Sequence, residues 1–179
     1  MARAIRDVAE YAFFKERVAF TNKRYQHREV AVKFLYLERE DKIADTKKIY
    51  LDQFVKEYRG KSSKAILPIV EPVETVLELM EKTFSKDDPL LRSQSMVVIY
   101  YLIFRNCSNE EWFPKLSRKS LLEFDALRAK NRLKAEHDIT KATYDLLEFD
   151  RLSVQGTNDA LSMKFRYDTM KEYLHQLVR

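Results

Sequence analysis

The stretch over residues 90–107 constrains the fold of this chain most, because its centre has no polar face. From Met96 to Phe104 every side chain is apolar or aromatic, whether the run is read at helical or at strand spacing. A helix that is apolar all round belongs in the middle of a protein or in a membrane. The run is shorter than the roughly 20 apolar residues that a membrane span needs. The pattern therefore predicts a buried central helix over about residues 90–106, with a buried strand as the alternative that its β-branched residues leave open.

Turn-forming residues are scarce in this sequence, which has two glycines and four prolines in 179 residues. Sandwiches and barrels need a turn every few residues, and two glycines cannot supply them. The chain is 45% hydrophobic and 34% charged, a composition typical of a folded domain rather than of a disordered segment. We therefore predict an all-α fold, a single multi-helix domain over residues 1–179.

The spacing of apolar residues predicts about seven or eight helices with short connections. They are expected at about residues 2–20, 26–38, 45–58, 72–84 and 90–106, then from Ser117, from Asp138 and over 163–177.

Several local features of these helices are specific predictions. Asp45 and Asp138 are expected to cap the helices that follow them. Residues 38–42 are expected to form a solvated connection, and residues 61–70 a linker or short turn, with Pro72 in the first turn of the next helix. Two helices are expected to bury an apolar face, one through Leu122, Ala126, Ala129 and Leu133, the other through Ile139, Ala142, Leu146 and Phe149.

The cysteine and histidine content limits the chemistry that the chain can carry. Cys107 is the only cysteine, so neither an internal disulfide nor a cysteine-based zinc site can form. None of the three histidines has a second ligand at metal-binding spacing. We therefore expect no metal site and no cofactor. No segment resembles a secretory signal or a membrane span, so the expected setting is cytoplasmic, without a membrane partner.

The net charge of +5 and the pI near 9.1 are compatible with nucleic-acid contact without demonstrating it. The densest cluster of basic residues has pairs at i, i+4 spacing on a predicted helix, so these side chains could bind phosphates together. The alternative is a solvated helix face, which Glu136 beside the cluster favours. The cluster consists of Arg128, Lys130, Arg132 and Lys134, and a looser second one of Arg24, Arg28 and Lys33.

One pair of residues keeps an enzymatic alternative open. Arg132 and His137 match the R-x4-H spacing of the HEPN ribonucleases, which are also all-α. The residue after the arginine is usually polar in that family, and here it is Leu133. The simpler interpretation of Glu136-His137-Asp138 is an exposed junction between two helices. No glycine-rich phosphate loop or nucleophile elbow is possible, because Gly60 and Gly156 stand alone.

A family resemblance covers most of the chain. The run Phe149-Asp150-Arg151-Leu152-Ser153-Val154-Gln155-Gly156-Thr157-Asn158-Asp159-Ala160, followed by a helix with Arg166, resembles the C-terminal end of the GmrS-like family. Members of that family join a ParB/sulfiredoxin-type domain to a helical region. Residues 24–35 are similar to the helix that opens this region, and residues 51–55 to its next helix. The family-motif loop is then Gln155, Gly156, Thr157, Asn158 and Asp159.

The resemblance implies part of a bacterial restriction or anti-phage defence protein that acts on DNA. The nucleotide chemistry of that family uses an Asp-Gly-Gln-x-Arg motif in the N-terminal domain, and this sequence has none, so no catalytic residue carries over. The chain is then either the helical C-terminal part of a larger protein or a degenerate stand-alone relative. The implied partners are DNA, an N-terminal ParB/sulfiredoxin-like domain or a partner nuclease.

Three functions follow as hypotheses. The leading one is a non-catalytic helical domain that positions DNA or a partner catalytic domain. The alternatives are a HEPN-like ribonuclease and a structural oligomerisation module.

Overall fold

The computed structural model describes residues 1–178, so Arg179, the last residue of the predicted domain, lies outside it. The prediction of an all-α domain is confirmed: within this range the chain forms eight α-helices and no β-strand, apart from one isolated bridge between Val18 and Asp88. The helices are α1 (Ala2–Ala9), α2 (Gln26–Glu40), α3 (Lys48–Glu57), α4 (Ser63–Thr83), α5 (Gln94–Cys107), α6 (Arg118–His137), α7 (Tyr144–Leu152) and α8 (Ala160–Leu177).

Helix α5 is the predicted central helix, and every residue from Met96 to Phe104 is buried. It packs against α2, α4 and α8, so its apolar surface is covered on several sides. It begins four residues later than predicted, because Leu90 and Leu91 belong to a separate 3-10 turn that Asp88 caps. No helix in the described part of the chain is long and apolar enough to cross a membrane.

Only part of the charged run over residues 38–42 forms the solvated connection that the sequence predicted: Asp41 and Lys42 are exposed after α2, whereas residues 38–40 belong to the helix. Helix α2 continues to Glu40, and the side chain of Glu38 is nearly buried against α5. Its carboxylate accepts hydrogen bonds from the Tyr101 hydroxyl and from Arg105 Nε, the latter at 2.8 Å. Burial, together with this carboxylate, raises the pKa of Tyr101 well above its ordinary value. The carboxylate therefore stays at the helix interface because α5 supplies its donors.

Helix α4 replaces the predicted linker over residues 61–70. It runs unbroken from Ser63 to Thr83 with both Pro68 and Pro72 inside it, so Pro72 is not in the first turn. Both prolines lie on the exposed face, where water can reach the carbonyls that lack an N–H donor. The opposite face holds the helix in place through buried residues at helical spacing, namely Ile66, Ile69, Val73, Val76, Leu77 and Met80.

Helix α1 is shorter than the predicted segment of residues 2–20. It ends at Ala9, and a wide π-helical turn over Phe13–Arg17 follows. Phe13 and Phe14 are both buried there. The Phe13 ring packs against Phe84, and the Phe14 ring against Phe34 of α2. The aromatic pair thus contacts two neighbouring segments of the chain.

Helix α6 begins after Ser117, as expected, but its predicted apolar face is wrong. Leu122 and Leu133 are exposed, whereas Arg128 and Asn131 are buried together with Ser120, Leu121 and Phe124. The polar pair is buried because α7 and the segment before it supply partners. The Asn131 amide, for example, donates to the Thr143 carbonyl at 2.9 Å and accepts from the Thr143 N–H at 2.7 Å.

The helix after Asp138 also begins later than predicted. Asp138 caps only the 3-10 turn of residues 139–141, accepting from the Thr140 N–H at 3.0 Å. Helix α7 then begins at Tyr144. Leu146 and Phe149 are buried as expected, but Ile139 is exposed, because it precedes the helix and leaves its face.

Candidate functional site

The cluster of Arg128, Lys130, Arg132 and Lys134 lies on α6, and we call it the α6 basic cluster. Its contacts with acidic residues divide it. Arg128 is buried, and its guanidinium donates to Asp150 at 2.8 Å through Nε and to Asp125 at 3.1 Å through Nη1. Arg132 donates to the second oxygen of Asp150 at 2.6 Å. Lys130 and Lys134, the other pair at i, i+4 spacing, are exposed. Two of the four cations thus hold α6 to α7, and two face solvent.

Removing the Arg128 side chain is expected to destabilise the fold. Arg128→Ala would leave Asp150, which is largely buried, with Arg132 as its remaining strong partner, and we expect a loss of about 2–4 kcal/mol in the free energy of unfolding. The matched control is Lys130→Ala, two residues further along on the exposed face of α6, which should change the free energy of unfolding by less than about 0.5 kcal/mol. Urea unfolding measures both, and equal values for the two variants would contradict a structural role for Arg128.

Arg132 and His137 lie on one continuous helix, α6, of which His137 is the last residue. Residues five apart on an α-helix point about 140° away from each other. Arg132 is moreover occupied by Asp150, as described above. The two side chains therefore leave α6 in different directions and do not converge on one point.

The family-motif loop connects α7 to α8 and is held by residues from distant parts of the chain. Asn158 accepts from the backbone N–H of Thr46 at 2.9 Å and from its hydroxyl at 3.2 Å. Asp159 forms an ion pair with Lys47. The prediction that Asp45 caps α3 is wrong. Its carboxylate instead accepts from the N–H of Ala160, the first residue of α8, at 2.9 Å. The loop thus docks on the connection between α2 and α3.

Arg166 fixes the same loop from inside the protein. Its side chain is fully buried, and its nearest acceptor is the Thr157 carbonyl at 3.0 Å, with the Ser162 and Ser95 carbonyls farther away. Burial, and then the charge of Arg128, lowers the pKa of Arg166 to about 10. Gly156 adds a turn with φ +64°, where a Cβ would lie 2.8 Å from Asp159 Oδ2. These contacts give Gly156, Thr157, Asn158 and Asp159 of the motif a structural role.

A groove of about 790 Å³ lies among α1, α2 and α3, and we call it the N-terminal groove. Of the second basic cluster, Arg28 and Lys33 line it, and Arg24 does not. Asn158 brings the family-motif loop to its edge. The sequence does not predict the groove, because its walls come from separate helices. The lining residues are Ile5, Tyr25, Arg28, Glu29, Val32, Lys33, Thr46, Lys48, Leu51, Asp52, Val55 and Asn158.

The backbone at Tyr25, one of the residues that line the groove, has an unusual conformation. Arg24 and Tyr25, which precede α2, both have left-handed conformations, with φ of 55° and 63°. Residues other than glycine rarely adopt this backbone conformation, and such strain often occurs at functional sites. The turn places the Arg28 guanidinium over the exposed Tyr25 ring, 4.5 Å from its centroid.

A second positive surface surrounds the junction of α3 and α4, and we call it the basic turn. It consists of Lys56, Arg59, Lys61 and Lys64, all exposed, on either side of Gly60. Within residues 1–178 none of these four has a carboxylate oxygen within 4.0 Å. Four cations flanking a glycine are visible in the sequence, but only the fold shows that they lie together on the turn between α3 and α4.

No group of three histidine, cysteine, aspartate or glutamate side chains in the described range is arranged to hold a metal ion. Comparison of the chain with known protein families, curated proteins and solved structures finds no match. The resemblance to the GmrS-like family therefore stays a prediction from the sequence.

Proposed function

We propose that this chain is a non-catalytic helical domain of a restriction or defence protein, and that it positions DNA through phosphate contacts from the basic turn. The observation that carries the proposal is the contrast between the two positive surfaces. In the α6 basic cluster, two arginines are committed to Asp150. In the basic turn, all four cations are exposed and lack a carboxylate partner among the described residues.

Free cations suit phosphate binding because each phosphate that they neutralise releases condensed counterions from the DNA. The basic turn also lies at a short junction, between the end of α3 at Glu57 and the start of α4 at Ser63. Lys61 Nζ sits 4.2 Å from the centroid of the Tyr58 ring, and Gly60 has a φ of 78° that suits the turn between the two helices. Contacts with phosphates fix the position of a protein on a DNA duplex but do not read its bases. We therefore expect weak binding with little sequence preference.

The proposed non-catalytic role has separate support. The most buried carboxylates serve the fold: Glu38 joins α2 to α5, and Asp88 binds Arg118 of α6. His137 is exposed at the end of α6, and Arg132 is held by Asp150. In the family that this sequence resembles, chemistry resides in another domain, so the implied role here is to hold DNA for that domain or for a partner nuclease.

The test is a salt titration of affinity for duplex DNA. We expect the wild-type Kd to lie in the ~10⁻⁴ to 10⁻⁶ M range of non-specific binding. The variant Arg59→Glu/Lys64→Glu should weaken binding to all sequences alike and reduce the salt slope by about 2, one unit for each lost phosphate contact. The control is Lys130→Glu/Lys134→Glu, which changes the net charge equally but on the exposed face of α6, and its slope should match the wild type.

Three outcomes of this titration would contradict the proposal. Equal losses in both double variants would mean that only net charge matters, and a selective loss in the α6 variant would move the contact to that helix. Unchanged slopes in both would leave the structural-module hypothesis as the leading one. We also expect no cleavage of RNA or DNA. Metal-independent RNA cleavage that His137→Ala abolishes would favour the ribonuclease alternative instead.

A further inference from the structure

The N-terminal groove has the size and lining of a small-molecule site. Its volume of about 790 Å³ falls in the ~300–1,000 Å³ range of ligand pockets, which are mostly apolar with a few polar groups. Ile5, Val32, Leu51 and Val55 supply apolar walls from three helices. None of the four residues of the basic turn lines it, so this site is separate from the proposed DNA contact.

The polar groups of the groove are mainly cationic. The lining contains Arg28, Lys33 and Lys48 against Glu29 and Asp52, which is an excess of one positive charge. Lys48 is paired with Asp52 at 2.7 Å on the rim. The two cations of α2 are less completely compensated.

Lys33 is the most informative of these cations. Its side chain is only 7% exposed, yet its single carboxylate contact is with Glu29 at 3.3 Å, and that side chain is 54% exposed. A tight ammonium–carboxylate hydrogen bond measures about 2.7–2.9 Å, and an ammonium has three donors. Burying a cation with one long contact is unfavourable, so a second anion beside Lys33 would gain more than at the surface.

Arg28 lies on the same helix and also lines the groove. No carboxylate oxygen in residues 1–178 lies within 4.0 Å of its guanidinium, which stacks on Tyr25. Tyr25, whose backbone forms the left-handed turn with Arg24, lines the groove together with Arg28. Lys33 and Arg28 thus place two incompletely compensated cations beside an apolar cavity.

We propose that the N-terminal groove binds a small amphipathic anion, with its apolar body against Val32, Leu51 and Val55 and its acidic head on Lys33 and Arg28. The head group is a carboxylate or a phosphate, because both accept hydrogen bonds from ammonium and guanidinium donors. The buried hydroxyl of Thr46 and the amide of Asn158 stand at the edge of the same cavity. The proposed site therefore lies next to the family-motif loop.

The test uses anilinonaphthalene sulfonate, an aromatic anion whose fluorescence rises in an apolar site, and its displacement by decanoate, decyl phosphate and decanol. We expect one probe per chain. Decanoate and decyl phosphate should displace it at concentrations about tenfold lower than decanol does, and the better of the two identifies the head group. Lys33→Met, which keeps the apolar stem, should raise the Kd of the anions about tenfold and leave that of decanol unchanged.

The control is Lys56→Met in the basic turn, which should bind all three compounds as the wild type does. Arg28→Gln changes an exposed side chain and gives a second variant that should still fold, with an expected loss of at least threefold for the anions. Equal displacement by decanol and decanoate, or unchanged anion binding in Lys33→Met and Arg28→Gln, would overturn the proposal. The DNA titration uses other residues, so its outcome and this one are independent.

Discussion

Leu102→Ala is expected to lower the free energy of unfolding by about 2–5 kcal/mol, the range for removing a large side chain from a packed core. Leu102 is fully buried at the centre of α5, which packs against α2, α4 and α8. Its neighbour Tyr101 stacks on Phe34 of α2 with ring centroids 3.9 Å apart, so the surrounding helices cannot readily collapse into the vacated space. The cost therefore includes the cavity as well as the lost burial.

Urea unfolding followed by circular dichroism measures this effect. The matched control is Leu161→Ala in α8, where the side chain is 84% exposed, and we expect a change of less than about 0.5 kcal/mol. A loss below about 1 kcal/mol for Leu102→Ala would mean that α5 does not organise the core.

Asp88→Ala is expected to destabilise the protein by about 2–4 kcal/mol, because it removes a buried acceptor that joins several segments. The carboxylate accepts from the Ser85 N–H at 2.9 Å, from the Leu90 N–H at 3.1 Å and from Arg118 Nε at 2.6 Å. It thereby ties the connection before α5 to the first residue of α6. The exposed control Asp168→Ala, which loses only an i, i+4 pair with Lys164, should cost at most about 0.5 kcal/mol.

The pH dependence of stability gives a second measurement on Asp88. Burial alone would raise the pKa of this carboxyl, but the hydrogen bonds from Arg118, Ser85 and Leu90 outweigh it and hold the pKa below 3.8. Its stabilising contribution is therefore complete above about pH 3.8 and is lost as the pH falls through the lower pKa of the folded state. The difference in stability between the wild type and Asp88→Asn should shrink from pH 7 to pH 3. A constant difference would contradict the lowered pKa.

The candidate sites were only partly predictable from the sequence. The α6 basic cluster is easily recognised in the sequence, but Arg128 and Arg132 are both paired with Asp150, which is 18 or more residues away. Conversely, Lys33 in α2 and Asn158 in the family-motif loop meet at one groove, although 125 positions separate them in the sequence. Local spacing cannot report which charges a fold will pair, because that depends on which helices become neighbours.

What the sequence by itself determined is the class of fold and its centre. The apolar run from Met96 to Phe104 must be buried, and the scarcity of glycine excludes frequent turns, so an all-α domain around α5 follows from local properties. Tertiary structure alone decided which polar groups could be buried and where several of the helices begin or end. Glu38 and Arg128 lie inside because neighbouring helices supply their partners, Asp45 caps α8 rather than α3, and Pro72 lies within α4 because the buried face of that helix holds it together. Hydrophobicity is a property of each residue, whereas satisfying a buried charge or a helix end requires a partner that only the folded chain provides.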